Sequence, residues 1–205
     1  MAIHLWDYEP DALEVAMCEL LVATAESSDE LIDHNVKDVL HGLREHLNMD
    51  VIFVSEIRDG KRIFRHVNHK PDRALIATGG GSSLEESFCQ CVLDGRLPRL
   101  VHDAATCLQK EALPATPFRV GAHLSTPIVL ADGQIYGTLC CFSTQPDPSL
   151  REQDLQKLEC VAKFTAKRID VQREKELEQW KLQPLDAQKS LKPKPHQQPQ
   201  GSNTF

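Results

Sequence analysis

Residues 125–143, STPIVLADGQIYGTLCCFS, constrain the fold more than any other part of the chain. A run of strand formers leads into Asp132-Gly133, and a second run of small and apolar residues leads out. That order predicts a β-hairpin with a two-residue turn, in which Gly133 takes a positive φ at no steric cost.

The elements around it follow from periodicity and punctuation. Apolar residues recur at helical spacing through Leu13, Met17, Leu20, Leu21 and Thr24, then through Leu31, Val36, Val39, Leu40, Leu43 and Leu47. Two helices, over residues 11–24 and 30–47, are expected. Residues 51–57 and 62–67 flank an Asp59-Gly60 turn and read as a second hairpin. Residues 68–83 hold Pro71 and Gly79-Gly80-Gly81 and read as a loop. Those glycines lack the Lys-Ser/Thr of a phosphate loop, so a mobile lid is expected there. Ser83-x-x-Glu86 reads as a capping box opening a helix through Leu93, with Gly95 as its stop. A short strand over 99–102, a short helix over 104–112 and a strand over 118–124 follow. After the central hairpin, Ser149-x-x-Glu152 reads as a second capping box for a helix over 150–182. Leu155, Leu158, Ala162, Thr165, Ile169 and Gln172 form one stripe of that helix, and Val161, Phe164 and Val171 another. Two stripes imply two packing surfaces, one on the sheet and one on a partner helix.

With 205 residues, one domain over 11–182 is expected, preceded by a segment over 1–10. Residues 183–205 are rich in Pro, Gln and Lys and predict a disordered tail. The first 36 residues contain no Lys or Arg, so the charged start of a secretory signal is missing. No apolar run is long enough to span a bilayer, and a cytoplasmic, membrane-free protein is expected. A net charge of −7 argues against a nucleic-acid surface. The seven cysteines are odd in number and scattered, which predicts reduced thiols rather than disulfide staples.

The central hairpin, together with SFCQCVLDGRLPRLVHDA over residues 87–104, resembles the GAF domains of bacterial sensor proteins that carry cyclic-di-GMP-handling domains. The resemblance covers about residues 11–172. It implies an α+β fold with a mainly antiparallel central sheet. N- and C-terminal helices pack on one face, and loops and short helices cover the other. It also implies a non-catalytic sensor that binds a small molecule or responds to redox state. Such a module forms a homodimer through its N- and C-terminal helices and signals through the dimerising C-terminal helix to a downstream effector. No cofactor is named by the sequence.

Strand parity and this resemblance together select Arg96, Asp103, Arg119, His123, Ser125 and Thr138 as polar contacts for a small ligand, with Phe88 and Phe118 as apolar wall. Two readings of the Arg119, Gly121, His123, Ser125 face compete: an exposed sheet surface, or the floor of a ligand cavity. Asp103 has a rival role as the cap of the following helix. Cys89 and Cys91 are redox candidates, although a helix turns their side chains about 200° apart, so they cannot easily bridge to each other. Simple core packing competes for both. Cys140 and Cys141, adjacent on a strand, point to opposite sheet faces and read as core. A Cys-x-Cys without further ligands is a poor zinc site, and His66-x-x-His69 is not held by a helix, so no metal site is expected.

Three other functions compete with a sensor. One is a dimerising scaffold whose cavity is filled by its own side chains. Another resembles the GAF-type free methionine-R-sulfoxide reductases, given Cys89, Cys91 and Cys107. The third is a bilin or haem sensor. For bilin, no Cys here is followed by His, and for haem His66, His102 and His123 are the available ligands.

Overall fold

Two tight turns set the sheet. The computed structural model describes residues 29–85, 87–107 and 113–182. At the first turn, Asp59 and Gly60 both take positive φ, 52° and 70°, as the two-residue hairpin turn requires. It joins β1 (Val51–Arg58) to β2 (Lys61–His69) with Arg58 opposite Lys61. The second turn, between β5 (His123–Val129) and β6 (Ile135–Phe142), differs from the expected form. Leu130 N–H donates to Gln134 C=O and Gly133 N–H donates to Leu130 C=O, both at 2.9 Å, so residues 131–133 make a three-residue connection. Only Gly133, at φ 82°, is left-handed there. Asp132 instead turns its carboxylate onto Gln134 N–H at 2.8 Å, stabilising the longer loop.

With β3 (Gly81–Ser83) and β4 (Leu100–Val101), the six strands run in the order β3-β2-β1-β6-β5-β4, every neighbouring pair antiparallel. Helices α1 (Asp29–His46), α2 (Phe88–Leu93) and α3 (Glu152–Leu182) and a 3-10 turn (Ala104–Thr106) complete the α+β fold. The pleat sorts the side chains. Ile52, Val54, Leu124, Ile128, Leu139 and Cys141 face α1 and α3, where they meet Leu40, Leu43, Leu155 and Leu158 in the main core. Each such aliphatic side chain, fully buried, contributes about 1.5–3 kcal/mol of transfer free energy. Val51, Phe53, Cys140 and Phe142 face the other way, onto Phe64 and Cys89. Beside them α2 packs Phe88, Cys91 and Val92 against Leu97, Val101 and Ala104.

Helix α3 is 31 residues long, about 45 Å at 1.5 Å per residue. Its first half is buried from Leu155 to Arg168 on one side, while Val171, Leu177 and Leu182 are exposed. Among the described residues no helix is long and apolar enough to cross a membrane.

Several local expectations are corrected. Ser83 ends strand β3 rather than capping a helix; the cap is Ser87, whose Oγ accepts from Gln90 N–H at 3.2 Å. The glycine run is held to the edge of β2 rather than forming a lid. Phe64 N–H donates to Gly80 C=O and Gly79 N–H to Phe64 C=O, each at 2.8 Å, and Gly81 pairs with Ile63. Helix α3 starts at Glu152, and the box around Ser149 is replaced by Asp154, whose carboxylate accepts Arg151 N–H at 2.9 Å. The strand expected over 118–124 begins only at His123. Before it, Gly121 and Ala122 bond irregularly to Ser143 and Gln145, beyond the end of β6, so the pleat does not position Arg119. The helix expected over 104–112 is a 3-10 turn as far as Thr106, and residues 108–112 lie outside the described residues, as do the helix over 11–24, the segment 1–10 and the tail 183–205.

Gly137 on β6 lies opposite Glu56, where a Cβ would come within 1.8 Å of the Ser55 carbonyl oxygen. Backbone cannot yield as a side chain does. Gly137→Ala is therefore expected to cost about 1–3 kcal/mol or more, read as a lower urea midpoint; an unchanged midpoint would contradict this account of the β1–β6 pairing.

Candidate functional site

The face of the sheet turned away from α1 and α3 carries the chemistry. Strand β1 presents Phe53 and Ser55, β5 His123 and Ser125, and β6 Thr138, Cys140 and Phe142. Arg62 and Phe64 reach over from β2, and α2 lays Phe88 and Cys89 across the top. Between them is a cavity of about 50 Å³, walled by Phe53, Arg62, Phe64, Ile76, Ser87, Phe88, Thr116, Phe118, Val120, His123 and Phe142. The rings are ordered against one another. Phe118 stacks on Phe142 at 5.3 Å, Phe53 meets Phe64 edge-on at 5.0 Å, and Phe88 tilts over the His123 ring at 5.7 Å. The Arg62 guanidinium lies 4.8 Å from the Phe64 ring centre, an attractive cation–π arrangement.

His123 is only 3% exposed, and its Nδ1 has no hydrogen-bond partner among the described residues. Leaving such an atom unpaired costs about 1–3 kcal/mol. Burial, and secondarily the positive charge of Arg62, hold its pKa down to about 4, so the ring is neutral at pH 7.

Beneath the cavity is a buried sulfur pair. Cys89 Sγ and Cys140 Sγ are 3.4 Å apart, and Arg62 Nη1 donates to Cys89 Sγ at 3.3 Å. Ser125 Oγ and Thr138 Oγ1 lie 2.9 and 3.2 Å from Cys140 Sγ, and Ser55 Oγ is 2.8 Å from Thr138 Oγ1. The Cys140 hydrogen bond outweighs burial and, with the Arg62 charge, lowers the Cys89 pKa; burial, then Cys89 itself, pushes Cys140 up. Of the two sulfurs, Cys89 is the one whose ionised form its neighbours favour. Cys141, on the helix side, is pushed far up, chiefly by burial, and packs in the main core.

The residues singled out from the sequence separate into three groups. Phe88, Phe118 and His123 line the cavity. Ser125 and Thr138 share its sheet face but lie against Cys140 rather than the cavity. Arg96, Asp103 and Arg119 are not brought to it. Arg96 pairs with Asp94 at 2.8 Å at the surface. Asp103 caps the 3-10 turn through Ala105 N–H at 3.0 Å and sits 3.8 Å from Arg119. Cys91 packs with Val92 and Leu97, away from Cys89, as helical spacing requires. His69 ends strand β2 rather than lying in a loop. Among the described residues no group of three or more His, Cys, Asp or Glu is placed to hold a metal. Sequence reasoning missed Phe53, Arg62, Phe64 and Phe142, of which Phe53 and Phe142 were findable by strand parity, and it missed Cys140 as the partner of Cys89.

A model of the family described as GAF domain matches residues 32–169. No curated protein matches the chain. Among solved structures, the free methionine-R-sulfoxide reductase from Neisseria meningitidis, in complex with its substrate, is similar with a TM-score of 0.63 at 16% identity, covering 84% of this chain and 98% of that one. A GAF sensor protein from Burkholderia vietnamiensis gives 0.57 at 14%, covering 78% and 94%. The phycocyanobilin-bound GAF domain from a cyanobacterial phytochrome gives 0.59 at 12%, covering 80% and 94%. At these identities the likeness is one of fold.

His123 gives the site a pH signature. Its folded pKa of about 4 lies below the ordinary 6.5, so the unfolded chain takes up the proton first. Stability is complete above pH 6.5 and is lost as pH falls towards 4, by about 3 kcal/mol in all. The difference in urea unfolding free energy between wild type and His123→Gln is expected to shift by that amount between pH 7 and 4; parallel curves would show that His123 is not buried neutral.

Proposed function

The chain belongs to the GAF domain family, whose members are regulatory sensor modules, and on that premise we propose that it binds a small polar molecule in the cavity over the helix-free face. The observation that carries this reading is the buried, unpartnered Nδ1 of His123 in the wall of a cavity built largely from phenylalanine rings. Such a site offers apolar contact on most sides and, at His123 Nδ1 and Arg62 Nε, unpaired polar atoms for a ligand to meet, the ordinary make-up of a small-molecule pocket. The neutral imidazole donates or accepts there according to its tautomer. Arg62 beside it favours a ligand with an electron-rich atom. The cavity holds only a few heavy atoms, so the ligand is small.

The route outward follows from the strands. His123 and Phe142 face the cavity, while Leu124, Ile128 and Leu139 of the same two strands pack against α3. A ligand with different affinity for two arrangements of β5 and β6 shifts their populations, and α3 is the element that feels it. The exposed Val171 and Leu177 lie on the second half of α3. A second copy of this chain is the proposed occupant of that part of the helix, giving a homodimer that hands the signal to an effector.

A second reading has one observation in its favour. About 50 Å³ is well under the roughly 300–1,000 Å³ of most ligand pockets, as in a dimerising scaffold that fills its own cavity. Native mass spectrometry of the full chain, gentle and then denaturing, separates the two. A small molecule retained on a dimer is the expected result. A bare dimer would move the assignment to the scaffold, and a monomer at every concentration would overturn both.

A further inference from the structure

We propose that Cys89 and Cys140 form a hydrogen-peroxide-reactive dithiol, in which Cys89 is oxidised and Cys140 closes an intramolecular disulfide. This goes beyond ligand binding and does not depend on it.

The two residues are 51 positions apart in sequence, yet α2 lies on β6 so that their sulfurs are in van der Waals contact at 3.4 Å, and neither is exposed. Closing a disulfide requires an approach of about 1.3 Å from there, within reach of rotamer changes. A thiolate held by a guanidinium, next to a second sulfur, is the environment of a reactive rather than a structural cysteine. Arg62 supplies that guanidinium at 3.3 Å. Among the described residues, Cys91 and Cys141 do not share this arrangement. Cys141 faces the opposite side of the sheet, and Cys91 packs on the far side of α2.

Burial selects the oxidant. Cys89 cannot be reached by a bulky disulfide such as oxidised glutathione, but Arg62, Ser87 and Phe88 around it also wall the cavity. A space of about 50 Å³ admits a molecule of water-like size, and hydrogen peroxide meets that limit. The Cys89 thiolate sulfur attacks one peroxide oxygen, the O–O bond breaks, and the departing hydroxide takes up a proton to become water. Cys89 is left as a sulfenic acid. The Cys140 sulfur then attacks the Cys89 sulfur, the S–O bond breaks, and the second hydroxide leaves as water with the Cys140 proton. Counting the proton Cys89 released on ionising, two thiols lose two electrons and two protons and one peroxide becomes two waters. Arg62 loses its anionic partner in the process. Its remaining contacts are Ser82 on β3 at 3.0 Å and the rings of Phe53 and Phe64, so oxidation changes the charge balance of the cavity wall.

The test uses the full chain, reduced, freed of reductant, exposed to equimolar hydrogen peroxide and then alkylated in denaturant. The intact mass before alkylation is expected to fall by about 2 Da, the oxidised chain to accept two fewer alkyl groups, and non-reducing peptide fragmentation to link Cys89 to Cys140. Cys91→Ser and Cys141→Ser are expected to keep the link. Cys140→Ser is expected to lose it and to leave a dimedone-reactive Cys89. Retention of every thiol, a link through another cysteine, or a disulfide between two copies would overturn the proposal, and the wild-type result decides it even if a variant fails to fold. A ligand-free protein that forms the link refutes ligand binding alone; a ligand-bound protein that does not refutes only the dithiol.

Discussion

Every other feature of this molecule depends on the fact that β1, β5 and β6 are buried on both faces. A strand's side chains alternate, so a sheet covered on one side only reads apolar, polar, apolar. Here the inner strands carry Val51 with Ile52, Phe53 with Val54 and Cys140 with Cys141, each pair divided between two apolar layers. One layer is the helix-packed core. The other is roofed by α2 and the loop leading to β5, a thinner cover that leaves a cavity and brings polar groups under it. Ser55, Ser125 and Thr138 are fully buried there and satisfied by one another and by Cys140. His123 Nδ1 and Arg62 Nε are left without partners, and unpaired atoms of this kind in a cavity wall are places where a ligand gains more than it would in water.

The two layers also couple the cavity side of the sheet to the helices. A displacement of β5 on the cavity side cannot be absorbed within the strand, because Leu124 and Ile128 are locked into the core against α3. Close-packed interiors transmit such shifts rather than dissipating them. Gly137 fits the same logic. It lets β6 run against β1 without a Cβ in the way, keeping the two strands as one mechanical piece.

Much of this was legible in the sequence, for local reasons. Asp-Gly turns between runs of strand formers located both hairpins, and α1, expected over 30–47, runs from Asp29 to His46. The resemblance to GAF domains, carried by the closing hairpin, agrees with the family match over residues 32–169. What failed was decided by tertiary bonding. Ser83 has the spacing of a capping residue, but β2 offers its backbone a ladder, and Ser87 is the residue that caps. Arg119 and His123 share a parity only if the strand is continuous, and the irregular bonding of Gly121 and Ala122 breaks it. Asp103 illustrates a local rule winning: its carboxylate caps the next turn. The Cys89–Cys140 contact was out of reach, since no local pattern states which sulfur α2 will be set down upon.

The central claim is that the aromatic cavity around His123 is a binding site rather than residual packing space. The most direct measurement is a high-resolution crystal structure of the full chain purified under reducing conditions. The account predicts ordered density of a small molecule inside the cavity, with an atom within hydrogen-bond distance of His123 Nδ1. A cavity closed by its own phenylalanine rings, with His123 Nδ1 bonded to the protein itself, would contradict it.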